Sequence, residues 1–178
     1  MKLLVVNVGS SSFKCQLLDM PSETVLAKAK VERVGSDSAP VEWSKGTDEP
    51  RKDTVSLPSY QAAIEFVLGK FTDPEGGVLS SLDEMDAVAF KPVYAKGISG
   101  CQYMARRVLD AMAEYNVIVA PLHNPAYIDA IENFRAVLPD KPLVGLFEDF
   151  FFDKLPDYVR TYAIPQDWAK KYGIEKRL

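Results

Sequence analysis

Leu3 to Val6 form an uninterrupted apolar run that leads straight into Asn7-Val8-Gly9-Ser10-Ser11-Ser12, and Phe13, Cys15 and Leu17 then alternate with Lys14, Gln16 and nearby Asp19. The run suits a strand buried on both faces, and the alternation suits a second, half-buried strand. The pair predicts a hairpin with a polar tip. Gly9 lets a ligand approach the backbone without a Cβ, while the serine hydroxyls and successive N–H groups offer donors to phosphate oxygens or to a metal-bound water. The same residues also suit an ordinary serine-rich β-turn.

Further along, Thr24 to Val34 alternates Val25, Ala27, Ala29 and Val31 against Leu26, Lys28, Lys30 and Glu32, a third strand that completes an antiparallel meander. Gly35 to Pro58 is rich in Ser, Asp, Pro and Lys around Val41-Glu42-Trp43 and predicts a loop with one short edge strand. Tyr60, Ile64, Val67 and Phe71 then repeat at helical spacing behind Ser59, a good N-cap. Asp86 to Phe90 reads as a strand, and Cys101, Met104, Val108, Met112 and Tyr115 mark one face of the next helix. Asn124 with Pro125 suits an N-cap and first-turn pair for a third helix, whose stripe is Tyr127, Ile131, Phe134 and Leu138. Pro142 to Phe147 predicts a buried strand that ends at Glu148-Asp149, where the carboxyl edge of a sheet meets ligand. Val159 to Ile164 suits another strand, and Pro165 to Tyr172 a short helix closed by Gly173. The order is that of a mixed α/β domain.

With 47% hydrophobic residues over 178, the chain can bury a proper core as one domain with a fragment of another. Its net charge of -4 comes from interspersed acids and bases with no basic stripe, which argues against a nucleic-acid partner. Cys15 and Cys101 lie in strand-like and helix-like patterns and read as buried thiols of a reducing compartment. No signal peptide and no run of ~20 apolar residues is present, so a cytoplasmic protein without a membrane span is expected. A lone histidine and two distant cysteines form no metal-ligand cluster.

Three stretches together resemble the acetate kinase family of carboxylate kinases. The first is Val5 to Lys14 with Leu17-Leu18-Asp19-Met20 and Val31-Glu32-Arg33-Val34-Gly35; the second, more distinctive, is Ala120-Pro121-Leu122-His123-Asn124-Pro125-Ala126. The third runs through Pro142 to Glu148 and Leu155-Pro156 to Tyr162-Ala163-Ile164-Pro165 and Lys171-Tyr172-Gly173-Ile174. The resemblance implies an actin-like (ribonuclease H-like) fold and only the N-terminal half of a two-domain kinase. Residues 1–148 correspond to the N-terminal domain and 149–178 to the truncated start of the second, so the adenine site lies elsewhere. It further implies ATP and Mg²⁺ as cofactors and a short-chain carboxylate or acyl phosphate as the other ligand.

Moving a phosphoryl group onto a carboxylate brings two anions together, so such a site must neutralise charge, align the groups and exclude water. By resemblance, Asn7, Ser10 and Ser12 lie near the transferred phosphoryl group, His123 donates to its oxygens, and Asn7 and Glu148 are the candidates for Mg²⁺. Val93 and Leu122 match positions that line the small acyl pocket. Taken without that context, His123 also suits a helix cap or a bond to a backbone carbonyl. Two positions depart from the family. Its carboxylate-gripping arginine is Lys91 here, which keeps the charge but loses the planar fork, and its catalytic aspartate is Glu148, one methylene longer. Asp149 is the neighbouring substitute. The family histidines and glycines around Lys91 are replaced within Ala89 to Lys96, and Lys96 offers either replacement charge or a solvated loop lysine.

Three functional expectations follow. The chain is a carboxylate kinase homologue that works with a separate C-terminal half, a non-catalytic module that binds small acids or phosphate, or an interaction domain that oligomerises through Phe150 to Phe152 and Val159 to Ile164.

Overall fold

The structure is a computed structural model and describes residues 1–117, 119–172 and 174. Strands β1 (Lys2–Gly9), β2 (Ser12–Asp19) and β3 (Thr24–Val31) form the expected meander, with Asn7 opposite Lys14 and Lys14 opposite Lys30. Strands β4 (Ser36–Lys45) and β5 (Arg51–Leu57) extend it. The predicted loop is therefore a full hairpin. Its composition misleads because β5 is an edge strand exposed along most of its length, and edge strands tolerate charge and discourage unwanted pairing by carrying it.

Beyond β1 the pairing turns parallel. Strands β6 (Ala87–Phe90), β7 (Cys101–Tyr103) and β8 (Leu143–Leu146) complete an eight-stranded sheet in the order β5-β4-β3-β2-β1-β6-β8-β7. β1, β6 and β8 run parallel, and β7 is antiparallel at the edge. Leu4, Val6 and Val8 of β1 are buried in one core with Ile64, Val67 and Phe71 of α1 (Tyr60–Phe71), Val108 and Met112 of α2 (Arg106–Ala113) and Ile131 and Phe134 of α3 (Asn124–Val137). Leu3 and Val5 are only half-buried, so β1 is not covered on both faces as its apolar run predicts. Ser59 caps α1 through a 3.1 Å bond accepted from the Ala62 N–H.

Phe134 joins the layers. Its ring meets Phe13 of β2 edge-on at 6.4 Å and Phe90 of β6 at 5.4 Å, so one residue of α3 grips both the antiparallel and the parallel parts of the sheet.

The helix expected from Cys101 onward starts only at Arg106. Cys101 to Tyr103 are drawn into the ladder with β8, which turns Cys101 outward and leaves Met104, Val108 and Met112 as the buried stripe. Cys101 is thus exposed rather than buried, while burial pushes the Cys15 thiol up to about 12. A thiol-specific chromogenic reagent should therefore label one cysteine in the native chain within minutes and the second only after denaturation. Two fast thiols would contradict the packing of Cys15.

After β8, Glu148 to Phe152 form a single 3₁₀ segment, followed by α4 (Asp157–Arg160) and α5 (Gln166–Tyr172). The strand expected over Val159 to Ile164 is absent: this stretch pairs with no strand among the described residues, and its first two residues finish α4. Gly173, the expected stop of α5, lies outside the described residues. Phe151, Tyr158, Trp168 and Tyr172 are all exposed. No described helix is long and apolar enough to cross a membrane.

Candidate functional site

Parallel strands all present their carboxyl ends at one edge, and that edge is where open α/β sheets bind ligand. Here Val6 of β1 is level with Phe90 of β6, and Phe90 with Gly145 of β8. Asn7, Lys91 and Glu148 therefore emerge on the same side. Lys91 Nζ lies 2.8 Å from Glu148 Oε1, and the Glu148 N–H donates to the Pro92 carbonyl at 3.0 Å. The two residues that depart from the family pattern are thus partners. The pair is largely solvated, with 59% of the Lys91 and 35% of the Glu148 side chain exposed, so it adds little stability.

Two tyrosines hold the β1–β2 hairpin in place from the helical layer. The Tyr127 hydroxyl donates to Asn7 Oδ1 at 2.9 Å and accepts a long bond of 3.5 Å from the Val8 N–H. The Tyr60 hydroxyl donates to the Gly9 carbonyl, and at 3.4 Å to that of Ser12. Burial pushes the Tyr127 phenol up to about 12, the Val8 N–H opposes the shift, and the nearby charge of Glu148 adds to it. At the tip Ser10 is exposed and Ser12 half-buried, and a Cβ at Gly9 would meet Ser12 Oγ at 2.9 Å, so a side chain there would have to turn the Ser12 hydroxyl aside.

His123 is the N-cap of α3, exposed and without a side-chain capping bond. It sits one turn before Tyr127 on the same helical face. Asn124 is therefore not the cap. It is the first residue of the helix, and its buried carboxamide donates two 2.9 Å bonds, to the carbonyls of Tyr94 and Met112. The cap shifts because that side chain turns inward to tie the Lys91–Gly100 loop and the end of α2 to the start of α3.

Val93 is half-buried and Leu122 is 75% exposed. Asp149 cannot replace Glu148 at the edge, because it is buried and accepts a 2.8 Å bond from the Ser99 hydroxyl. Lys96 pairs with Glu114 at the surface, away from Lys91. A groove of about 480 Å³ does open on the outer face of the sheet, lined by Asn7, Lys14, Gln16, Lys28, Lys30 and Ser44 among others. It shares only Asn7 with the edge cluster. The described residues contain no group of three or more His, Cys, Asp or Glu placed to hold a metal.

The sequence nominates Asn7, Lys91, His123 and Glu148, and gives Tyr60 and Tyr127 only as core positions and Asn124 only as a cap. The two tyrosines lay in stripes that were fully explained as core. The available signal was a hydroxyl near the amino-terminal end of each stripe, where a buried ring still needs a partner for its oxygen.

A profile of the acetokinase family matches residues 2–177. The chain belongs to that family. It is 38% identical over 177 residues to the acetate kinase of Coprothermobacter proteolyticus, covering 99% of this chain and 44% of that protein. The crystal structure of Porphyromonas gingivalis acetate kinase superposes with a TM-score of 0.86 at 33% identity, over 98% of this chain and 44% of that one. A propionate kinase from Francisella tularensis, at 24% identity and a TM-score of 0.82, shows the same fold. This acetokinase-family chain thus spans less than half the length of the relatives it matches, and its mixed sheet with flanking helices is the actin-like N-terminal domain that the resemblance implied.

Proposed function

We propose that the chain forms the carboxylate- and phosphoryl-facing half of a phosphotransferase that moves the γ-phosphoryl group of ATP onto a short-chain carboxylate, giving an acyl phosphate and ADP. The observation that carries this reading is the gathering of Asn7, Tyr127, Lys91 and Glu148 at the carboxyl ends of three parallel strands in a member of the acetokinase family. Residues 1–148 are read as this half, and 149–178, with its exposed aromatic side chains, as the start of the nucleotide-holding half against which those side chains pack.

In this proposal Asn7, Ser10 and Ser12 border the phosphoryl group in flight, and His123 donates to its oxygens. Lys91 attracts the substrate carboxylate, and Val93 and Leu122 form the wall against its alkyl tail once the second half closes over them. A hard cation bound through few protein oxygens and several waters fits Glu148, whose carboxylate lies at the same sheet edge as Asn7. Mg²⁺ held there supplies neutralising charge to the phosphate oxygens. Since Glu148 occupies Lys91 at 2.8 Å, the substrate carboxylate must compete with it, and a single ammonium offers no bidentate grip.

That same ion pair favours a second reading, in which the site binds small anions without transferring phosphate. An acyl phosphate assay with ATP, Mg²⁺ and a panel of short carboxylates separates the two, run with and without the C-terminal half of an acetate kinase. Turnover is expected only when the second half is added. Under those conditions Lys91→Arg should lower the KM for the carboxylate by about tenfold, the gain expected from a second charge-assisted hydrogen bond. Turnover by the chain alone overturns this division of labour. Absence of turnover in both arms, with acetate and phosphate binding intact by calorimetry, selects the binding module.

A further inference from the structure

The groove on the outer face of the meander is floored by two cross-strand rows. In one, Lys28 of β3 stands between Gln16 of β2 and Ser44 of β4; in the other, Lys30 stands between Lys14 and Glu42. Strand alternation sends these side chains away from the core, because Phe13, Cys15, Ala29, Val31 and Val41 between them are buried against the helical layer. Lys14, Gln16 and Lys28 are exposed. The groove encloses about 480 Å³, with Val5 and Pro50 as apolar wall, which suits a small organic molecule better than a lone inorganic ion.

Its charges do not cancel. Glu32 holds Lys30 at 2.7 Å, and Lys52 holds Glu42, directly opposite it on β5, at 3.3 Å. The hydrogen bond from Glu32 raises Lys30 above its ordinary value against its desolvation, with the charges of Glu32 and Glu42 adding to the shift. Past Asn7, at the sheet edge, Lys91 and Glu148 neutralise each other at 2.8 Å. Asp48 and Glu49, in the loop before Pro50, line a different pocket with Lys45 and Arg51. Lys14 and Lys28 have no ion-pair partner among the described residues. Four lysines therefore face Glu32 and Glu42 on this surface, and the two positive charges left over belong to Lys14 and Lys28. Lys14 also stands directly opposite Lys30, and like charges so placed cost stability until an anion enters between them.

We infer that this groove is a second binding site, separate from the sheet-edge cluster, for a compact organic dianion of the phosphate monoester or dicarboxylate class. Lys14 and Lys28 are diagonal neighbours on adjacent strands, close enough for one dianion to engage both. Gln16 and Ser44, on either side of Lys28, offer neutral hydrogen bonds to the rest of the molecule. A monocarboxylate satisfies only one of the two ammonium groups, so the groove discriminates against the short carboxylates assigned to the edge. Its occupancy requires no phosphoryl transfer there.

Calorimetry of the full chain at low ionic strength tests this with glycerol phosphate and succinate, and with acetate as the singly charged control. One equivalent of a dianion should bind at least tenfold more tightly than acetate, and the tighter of the two probes tells whether the groove takes a phosphate ester or a dicarboxylate. Lys14→Gln and Lys28→Gln should each weaken that binding about tenfold, the loss expected for one charge-assisted hydrogen bond. Gln16→Glu, which sets a negative charge beside Lys28, should weaken it at least as much. Lys96→Gln should leave it unchanged, since that ammonium is paired with Glu114 elsewhere on the surface. Amide nitrogen–proton spectra recorded during the titration should shift around Gln16 and Lys28. The second site is overturned if neither dianion binds, if binding survives both lysine substitutions, or if the shifts centre on Lys91 and Glu148. The last outcome leaves the proposed function standing; conversely, if no turnover is found with the added C-terminal half, dianion binding in the groove should persist.

Discussion

Phe134→Ala should cost about 4 kcal/mol and lower the melting temperature by about 10 °C, within the usual range for emptying an aromatic core site in a chain of this size. The ring is almost completely buried and makes edge-on contacts with Phe13 and Phe90, which belong to parts of the sheet of opposite strand sense. Neither neighbour can move into the vacated space without pulling its strand out of a ladder, so the cavity should stay open and the cost should fall at the upper end. Because Tyr127 lies seven residues earlier on the same helix, the loss should also loosen its bond to Asn7. Denaturant unfolding followed by near-ultraviolet circular dichroism measures the effect, with Phe134→Leu as a milder companion at about 1.5 kcal/mol. A loss below about 1 kcal/mol for the alanine variant would mean that α3 is not anchored as described.

That arrangement was partly legible in the sequence. The stripes of α1 and α3, the meander of β1 to β3 and the two inner parallel strands follow from hydrophobic period alone, because each has one face committed to a single core. The β4–β5 hairpin was hidden, since an edge strand needs only Val55 and Leu57 on its inner side and spends its other positions on Arg51, Lys52, Asp53 and Thr54. Cys101 to Tyr103 was hidden for the opposite reason. Its apolar residues continue the spacing of the following helix, and only the partner β8, forty residues later, makes it a strand.

The edge cluster was legible in its chemistry but not in its connections. Asn7, Lys91 and Glu148 could be nominated from motif and position, yet the Lys91–Glu148 pair depends on the register of β6 against β8, which no local pattern specifies. The tyrosines escaped because burial explains a ring in an apolar stripe fully and is silent about its oxygen. Asn124 escaped because Asn before Pro is the ordinary signature of a cap, and only the packed loop offers its carboxamide something better than its own helix.

Asn124→Leu should therefore cost at least as much as the loss of a cap. Its two donated bonds reach the Tyr94 and Met112 carbonyls, and a leucine forfeits both at about 1 kcal/mol each, although the Met112 carbonyl keeps the Tyr115 N–H at 3.0 Å. The variant also removes Oδ1, which is buried with no partner among the described residues, so part of the penalty is recovered and no more than about 2 kcal/mol is expected overall. Asn124→Asp sharpens the test. A carboxylate of nearly the same shape keeps no donor for either carbonyl and sets negative charge against two oxygens, so it should be the less stable variant at pH 7 and recover partly in acid as the carboxyl group regains a proton. Melting curves of the two variants at pH 7 and pH 5 decide the matter. An aspartate variant as stable as wild type at pH 7 would show that the carboxamide's donors are not what holds this corner together. If the ordering is as expected, the residue beside His123 keeps the Lys91 loop and the start of α3 in fixed relation, and the spacing between Lys91 and His123 depends on a buried asparagine.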